Sequence, residues 1–112
     1  MLVAWTTTSQ RADAERLAQA AVTAGLAVCA QVEGPVISYY PWEGKIERTE
    51  EYRIMFKYLE PNVSELEAWI HAHHPYETPE WLAVRAESVG EKYLSWAKAN
   101  SKSRPFPASK QP

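Results

Sequence analysis

Residues 36–59, VISYYPWEGKIERTEEYRIMFKYL, contain two strand-forming runs joined by a short turn. Residues 41–44 have the composition of a tight turn, since they begin with proline and end with glycine. From Tyr52 onward, aromatic and aliphatic residues occupy every second position, as in a strand. This stretch predicts a long central β-hairpin whose second arm spans residues 45–59.

Strand and helix patterns alternate on both sides of the hairpin. A strand (residues 1–7), a helix ending at Gly25 and a strand interrupted at Gly34 and Pro35 come before it, and the interruption predicts a bulge on an edge strand. A helix ending before Pro75, a strand at residues 80–86 and a last helix follow it. The order predicts an α+β fold, namely a ferredoxin-like βαββαβ sandwich with an additional C-terminal helix and a long central hairpin.

The predicted strands carry apolar residues on both faces, for example at residues 28–30, 54–56 and 81–84. A hairpin arm of about 14 residues spans roughly 45 Å, whereas a domain of this size is about 34 Å across. Both features indicate that other copies of the chain cover the sheet and the hairpin. The alternative is a twisted hairpin that folds back onto its own sheet.

Composition limits the class of protein. The chain has 112 residues, 14 acidic and 12 basic side chains and a net charge of −2, so we expect no nucleic-acid partner. It has no apolar run long enough for a membrane span and no signal-peptide pattern, so we expect a cytoplasmic protein without a membrane partner. The folded domain is assigned to residues 1–98. Residues 99–112 form a basic tail rich in proline and serine that we predict to be disordered.

Four motifs resemble segments of the CutA family of small divalent-cation tolerance proteins. They are GLAVCA at residues 25–30, SYYPWEGKI at 38–46, HHPYETPEW at 73–81 and YLSW at 93–96. The resemblance covers residues 1–98 and implies a ferredoxin-like fold, a tightly packed homotrimer and a link to metal tolerance, with copper the metal most often invoked. The fold of that family is in turn similar to that of the trimeric PII signalling proteins.

The chain departs from some CutA family members at Ser9, near which they carry a second cysteine. Cys29 is the only cysteine here, so a two-thiolate copper site within one subunit is excluded.

His71, His73, His74 and Glu77 form the one cluster of metal-ligand residue types in the sequence. Imidazole and carboxylate groups suit Cu²⁺, Zn²⁺ or Ni²⁺, and the zinc-protease pattern His-Glu-x-x-His is absent. We assign His74, Glu77 and Cys29 as candidate metal ligands for a weakly or transiently bound divalent ion such as Cu²⁺. For Cys29 the alternative is a small buried hydrophobic residue.

The hairpin turn and the rigid turn after Pro75 supply the other candidate residues. Trp42 and Lys45 at the turn, with Tyr76 and Glu80, are predicted to line a groove between subunits. We predict a non-enzymatic, trimeric, divalent metal ion (copper) binding or tolerance protein and assign no catalytic residue. The alternatives are a small-molecule enzyme in that groove, a PII-like ligand sensor and a structural protein that anchors partners.

Overall fold

The computed structural model describes residues 1–102, and these form four strands, three α-helices and one 3₁₀ turn. In chain order, the elements are β1 (Leu2–Thr8), α1 (Arg11–Thr23), β2 (Cys29–Trp42), β3 (Lys45–Tyr58), the 3₁₀ turn (Glu60–Asn62), α2 (Val63–His73), β4 (Leu82–Arg85) and α3 (Glu91–Asn100). No helix of this part of the chain is both long and apolar enough to span a lipid bilayer.

The four strands form one antiparallel sheet in the order β2-β3-β1-β4. The first strand therefore lies between β3 and β4, and α1 and α2 are the crossovers that make this order possible. This arrangement confirms the predicted ferredoxin-like α+β fold with an added C-terminal helix. β2 and β4 are the two edges.

The core lies between the sheet and the first two helices. The buried residues of α1 recur at helical spacing on the side that faces the sheet, and the buried residues of α2 do the same. The fully buried side chains of the core include Ala4, Ala14, Leu17, Ile54, Phe56, Leu66 and Ile70. Trp81 packs on the edge of this core, with its ring 6.2 Å from that of Phe56.

The hairpin extends beyond the rest of the subunit. β1 pairs with β3 only over Tyr52 to Tyr58, whereas β2 pairs with β3 as far as Trp42 opposite Lys45. The outer half of the hairpin is thus paired only with itself, and the subunit measures 52 × 27 × 21 Å. The alternative of a hairpin folded back onto its own sheet is therefore wrong for the subunit.

The predicted bulge is present on the edge strand. The β2–β3 register shifts between Glu33 and Val36, around the glycine and proline that the sequence places there. At the turn, Glu43 and Gly44 both have positive φ, at 50° and 79°. Two consecutive residues with positive φ form the tight two-residue turn that matches the twist of the two strands in a β-hairpin.

The sheet face opposite α1 and α2 is only partly covered within the subunit. One row across this face joins Leu82, Trp5 and Met55 on three adjacent strands. Leu82 is 59% exposed and Val84 is 50% exposed, while α3 packs at one corner near Cys29. We call this surface the open face.

The C-terminal segment stays attached for a few residues beyond residue 98. α3 continues to Asn100, and the Lys102 N–H donates to the Gly25 carbonyl at 2.8 Å. The remainder of the predicted tail, residues 103–112, lies outside the described residues, so its predicted disorder stays a prediction.

Candidate functional site: a carboxylate-lined cleft beside the hairpin

A cleft of about 930 Å³ lies where the hairpin meets the segment after α2. We call it the hairpin cleft. Its walls are Thr7, Ser38, Tyr39, Tyr40, Trp42, Glu47, Glu51, Tyr76, Glu77, Thr78 and Glu80. The volume is in the range of small-molecule sites, which is roughly 300–1,000 Å³.

Strand periodicity explains why the hairpin contributes both rings and carboxylates to one cleft. Ser38, Tyr40 and Trp42 alternate along β2, so they share a face. The register places Tyr40 opposite Glu47, and Glu51 lies on the same face of β3 four residues further on. The hairpin thus carries a double row of aromatic and acidic side chains into the cleft.

His74 fixes the segment that forms the opposite wall. Its Nδ1 accepts the Tyr76 N–H at 3.0 Å, so in the neutral ring the proton is on Nε2, which donates to Thr6 Oγ1 at 3.0 Å. Both nitrogens are therefore used inside the subunit. Burial lowers the pKa of His74 below its ordinary value of 6.5, and the nearby His71 lowers it further.

Tyr76 joins this wall to the hairpin. Its hydroxyl donates to Glu51 Oε2 at 2.7 Å, a short bond of the charge-assisted kind. Burial, the hydrogen bond to Glu51 and the charge of Glu51 all raise the pKa of Tyr76 far above its ordinary value, so the phenol stays protonated and remains a donor.

The cleft has a strongly negative character. Of its described walls, four residues are glutamates and none is lysine, arginine or histidine. The protein atoms around Glu80 and the charge of Glu51 raise the pKa of Glu80, whereas Arg53 opposes this shift. The carboxylates thus act on each other through the cleft, and a positively charged ligand would relieve that repulsion.

A comparison with protein families identifies the chain. The family described as CutA1 divalent ion tolerance protein matches residues 2–100. The chain belongs to the CutA1 family. The predicted resemblance is thereby confirmed.

Several relatives are similar over nearly their whole length. The divalent-cation tolerance protein CutA of Yersinia pestis is 34% identical over 99 residues, which cover 88% of this chain and 83% of that protein. The structure of CutA from Synechococcus elongatus has 35% identity and a TM-score of 0.86, covering 90% of this chain and 89% of that one. CutA1 from Pyrococcus horikoshii has 29% identity and a TM-score of 0.88, covering 92% and 100%. The family is thus named for tolerance of divalent ions and not for a reaction.

In this CutA1 family member, the three predicted metal ligands do not form one group within the described residues, and their role as ligands stays a prediction. Glu77 is exposed at the hairpin cleft, and His74 is just behind the wall with both nitrogens engaged. Cys29 is at the start of β2, opposite Lys57, and packs beside Val28 and Leu59. Within residues 1–102, no group of three or more histidine, cysteine, aspartate or glutamate side chains is close enough to hold a metal ion.

The structure places three of the four predicted groove residues on the cleft. Trp42, Tyr76 and Glu80 line it, whereas Lys45 is at the turn opposite Trp42 and is not among the lining residues. Whether a neighbouring subunit completes a groove there stays a prediction.

Sequence reasoning missed the two glutamates of β3. Glu47 and Glu51 are four residues apart on a strand, and side chains of a strand alternate between its two faces. The sequence could therefore have predicted that these two glutamates share a face. The contact between Tyr76 and Glu51 could not be predicted from the sequence, because the two residues are 25 positions apart and a helix lies between them. Only the packing of α2 on the sheet brings them together.

The protonation of His74 predicts a pH dependence of stability. The folded state needs a neutral ring, because Nδ1 accepts the Tyr76 N–H, while the unfolded chain binds a proton near pH 6.5. As the pH falls below that value, the unfolded state takes up protons that the folded state does not, so stability is lost by up to about 1.4 kcal/mol per pH unit. We expect His74→Gln to flatten the pH profile of the unfolding free energy in this window.

Denaturant unfolding at fixed protein concentration, from neutral to mildly acidic pH, measures this slope. His73→Gln is the matched control, because His73 is exposed and stacks on Trp69 at the end of α2. An equal flattening by both substitutions would contradict the role given to His74.

Proposed function

We propose that this protein is a non-enzymatic homotrimer that binds divalent cations, Cu²⁺ in particular, and thereby contributes to tolerance of these ions. The observation that carries the proposal is the hairpin cleft, whose exposed Glu77 and other carboxylates are next to a sheet face that the subunit leaves open. Membership in a family named for divalent-cation tolerance supports the same function. From its sequence we expect the protein to act in the cytoplasm.

The open face and the hairpin support the trimer. Leu82 and Val84 are half exposed or more, and at the projecting turn Trp42 is 60% exposed and Ile46 is 73% exposed. Large apolar side chains exposed on a sheet face and at a projecting turn are costly in water, and such surface is typical of subunit interfaces. Two or more neighbouring copies that cover the open face and the hairpin would remove this cost.

The metal site would then be completed between subunits. The described part of one subunit does not bring three ligand side chains together, so a second subunit or solvent must supply the remaining donors. Glu77 is exposed on a turn and is the candidate ligand that needs no rearrangement. His74 would have to give up the hydrogen bond to Thr6 before its Nε2 could bind Cu²⁺.

Titration with Cu²⁺ tests which residues are ligands. We expect Glu77→Gln to lower the affinity of the full-length protein at least about tenfold, His74→Gln to lower it as well, and Cys29→Ser to leave it nearly unchanged. Isothermal titration calorimetry of the three variants gives the affinities and the stoichiometry per trimer. Loss of binding in Cys29→Ser with unchanged affinity in Glu77→Gln would contradict the proposal.

A growth assay tests the function itself. A bacterial strain without its own CutA1 protein is grown in rising copper concentrations with this chain, with Glu77→Gln or with Cys29→Ser. We expect the unaltered chain and Cys29→Ser to restore tolerance and Glu77→Gln to fail. Equal tolerance with and without the unaltered chain would refute the proposed function.

The second candidate function is that of an enzyme or a PII-like sensor that uses the same cleft. Its support is the raised pKa of Glu80 next to the Tyr76–Glu51 pair, since a carboxyl group that holds its proton longer is a better general acid. Identification of small molecules that co-purify with the trimer distinguishes this class from a simple metal-binding protein.

A further inference from the structure

The last helix, α3, has little apolar contact with the rest of the subunit. Among its ten described residues, Ala97 is the one that is buried, whereas α1 buries four. Ala97 packs with Val28 and Leu59 in a small cluster apart from the main core, and Cys29 is partly buried against this cluster. Packing of an apolar face supplies most of the stability of a helix in a protein, so α3 is weakly anchored by its packing.

Polar contacts fasten the end of α3 instead. The Ser101 hydroxyl donates to Asn62 Oδ1 at 2.9 Å, and Asn62 ends the 3₁₀ turn before α2. The next residue, Lys102, donates its N–H to the carbonyl of Gly25 in the turn after α1. We call these two hydrogen bonds the C-terminal latch. An exposed ion pair between Lys102 and Glu65, at 3.9 Å, adds little to it.

Gly25 leaves the room that the C-terminal latch requires. Its φ is 74°, and a Cβ at this position would lie 2.8 Å from the Cβ of Lys102. Gly44 in the hairpin turn has a similar φ of 79°, but a Cβ there would meet no atom of the described chain within 4 Å. Both glycines avoid backbone strain, whereas only Gly25 also makes space for the segment that follows α3.

The closed latch leaves one polar group unsatisfied. Asn62 is fully buried, and its Nδ2 has no hydrogen-bond partner within residues 1–102. A buried donor without a partner has lost its water without compensation, which raises the free energy of the closed state. When Ser101 moves away from Asn62, water can reach this amide, and the free energy needed to open the latch is lower for that reason.

We infer that α3 is a detachable strap: the C-terminal latch opens while the sheet, α1 and α2 stay folded, and the open strap uncovers the apolar corner around Val28, Cys29 and Leu59. Local opening of this kind occurs in elements with few buried apolar contacts. The inference does not rest on the proposed metal ligands or on the trimer. The latch lies within one subunit, and none of its described residues lines the hairpin cleft.

Hydrogen exchange of the full-length protein, followed by mass spectrometry, tests the inference. In the parent we expect the hydrogen-bonded amides of α3 to exchange at least about tenfold faster than those of α1, since α3 opens without global unfolding. Ser101→Ala removes one hydrogen bond of the latch and should speed exchange in α3 about fivefold, with α1 unchanged. The matched control is Ser95→Ala on the exposed side of α3, which should not speed exchange.

Two glycine variants test the latch from its other side. Gly25→Ala and Gly44→Ala both place a side chain at a positive φ, but only the methyl group at Gly25 would meet Lys102. We expect Gly25→Ala to raise the ratio of α3 exchange to α1 exchange about tenfold or more and Gly44→Ala to leave this ratio unchanged. An equal change of the ratio in both variants would contradict the latch.

Cys29 is an independent reporter of the open strap, because it packs against the cluster that Ala97 completes. Its alkylation by iodoacetamide, without denaturant, should accelerate in Ser101→Ala by about the same factor as exchange in α3. Equal exchange of α3 and α1 in the parent, as a neighbouring copy packed on α3 would produce, overturns the inference. So does equal acceleration by Ser95→Ala, or a rate of Cys29 alkylation that Ser101→Ala does not change.

Discussion

Replacing Leu82 with lysine is expected to convert the proposed homotrimer into monomers. Leu82 is on the edge strand β4, is 59% exposed in the subunit and continues the row formed with Trp5 and Met55 on the open face. If neighbouring copies cover this face, the new ammonium group loses its water without gaining a partner, which costs several kcal/mol per site. A cyclic trimer repeats the substitution three times, so the loss is multiplied.

Light scattering coupled to size exclusion, at low micromolar concentration, measures the outcome. The matched control is Val22→Lys, because Val22 is also a partly exposed aliphatic residue (40% exposed) but is on α1, away from the open face. We expect Val22→Lys to stay trimeric and Leu82→Lys to give a smaller species with a far-ultraviolet circular dichroism spectrum like that of the parent. A Leu82→Lys protein that remains trimeric would show that the open face is not the interface.

Replacing Phe56 with alanine is expected to lower the free energy of unfolding by about 3–5 kcal/mol. Phe56 is fully buried near the C-terminal end of β3, opposite Ala4 of β1, and its ring is 6.2 Å from that of Trp81. Truncation leaves a cavity between the sheet and the helices that the surrounding side chains cannot fill. Many single domains have only about 5–15 kcal/mol of stability in total, so the melting temperature should fall by many degrees.

The neighbouring residue Met55 provides the control for this prediction. Successive side chains of a strand point to opposite faces, so Met55 lies on the open face, where it pairs with Trp5. We expect Met55→Ala to weaken trimer assembly, with a melting temperature that depends on protein concentration, while Phe56→Ala destabilises the subunit at every concentration. Thermal melts of both variants at two concentrations separate the effects, and identical behaviour of the two variants would contradict the assignment of the faces.

The fold could be predicted from local sequence patterns, because each residue that indicates it restricts only the backbone close to it. The alternation in residues 52–58, the proline before Tyr76 and the glycine that ends α1 each limit the backbone within a few residues. Strand order is then restricted by the helices between the strands. The bulge at Gly34 and Pro35 was predictable for the same reason, since proline cannot donate to a strand ladder.

Only part of the candidate site could be predicted from the sequence. Trp42, Tyr76, Glu77 and Glu80 were identified from turns rich in large and charged residues, and the structure brings all four to one cleft. The metal set of His74, Glu77 and Cys29 rested on residue type alone. Residue type says nothing of hydrogen bonding, and the structure shows that both nitrogens of His74 hold the cleft wall in place.

By itself, the sequence determined the element order, the long hairpin, the apolar character of both sheet faces and the family. Each of these features depends on residues that are close together in the chain or on sequence motifs that can be recognised without a structure. Tertiary structure alone decided which acids share a cleft and which of them accepts a hydrogen bond from Tyr76. The pairing of Tyr76 with Glu51, across 25 residues, arises from the packing of α2 on the sheet. Burial of a charge is a property of that packing, because it depends on how many atoms from distant segments replace water around one carboxylate.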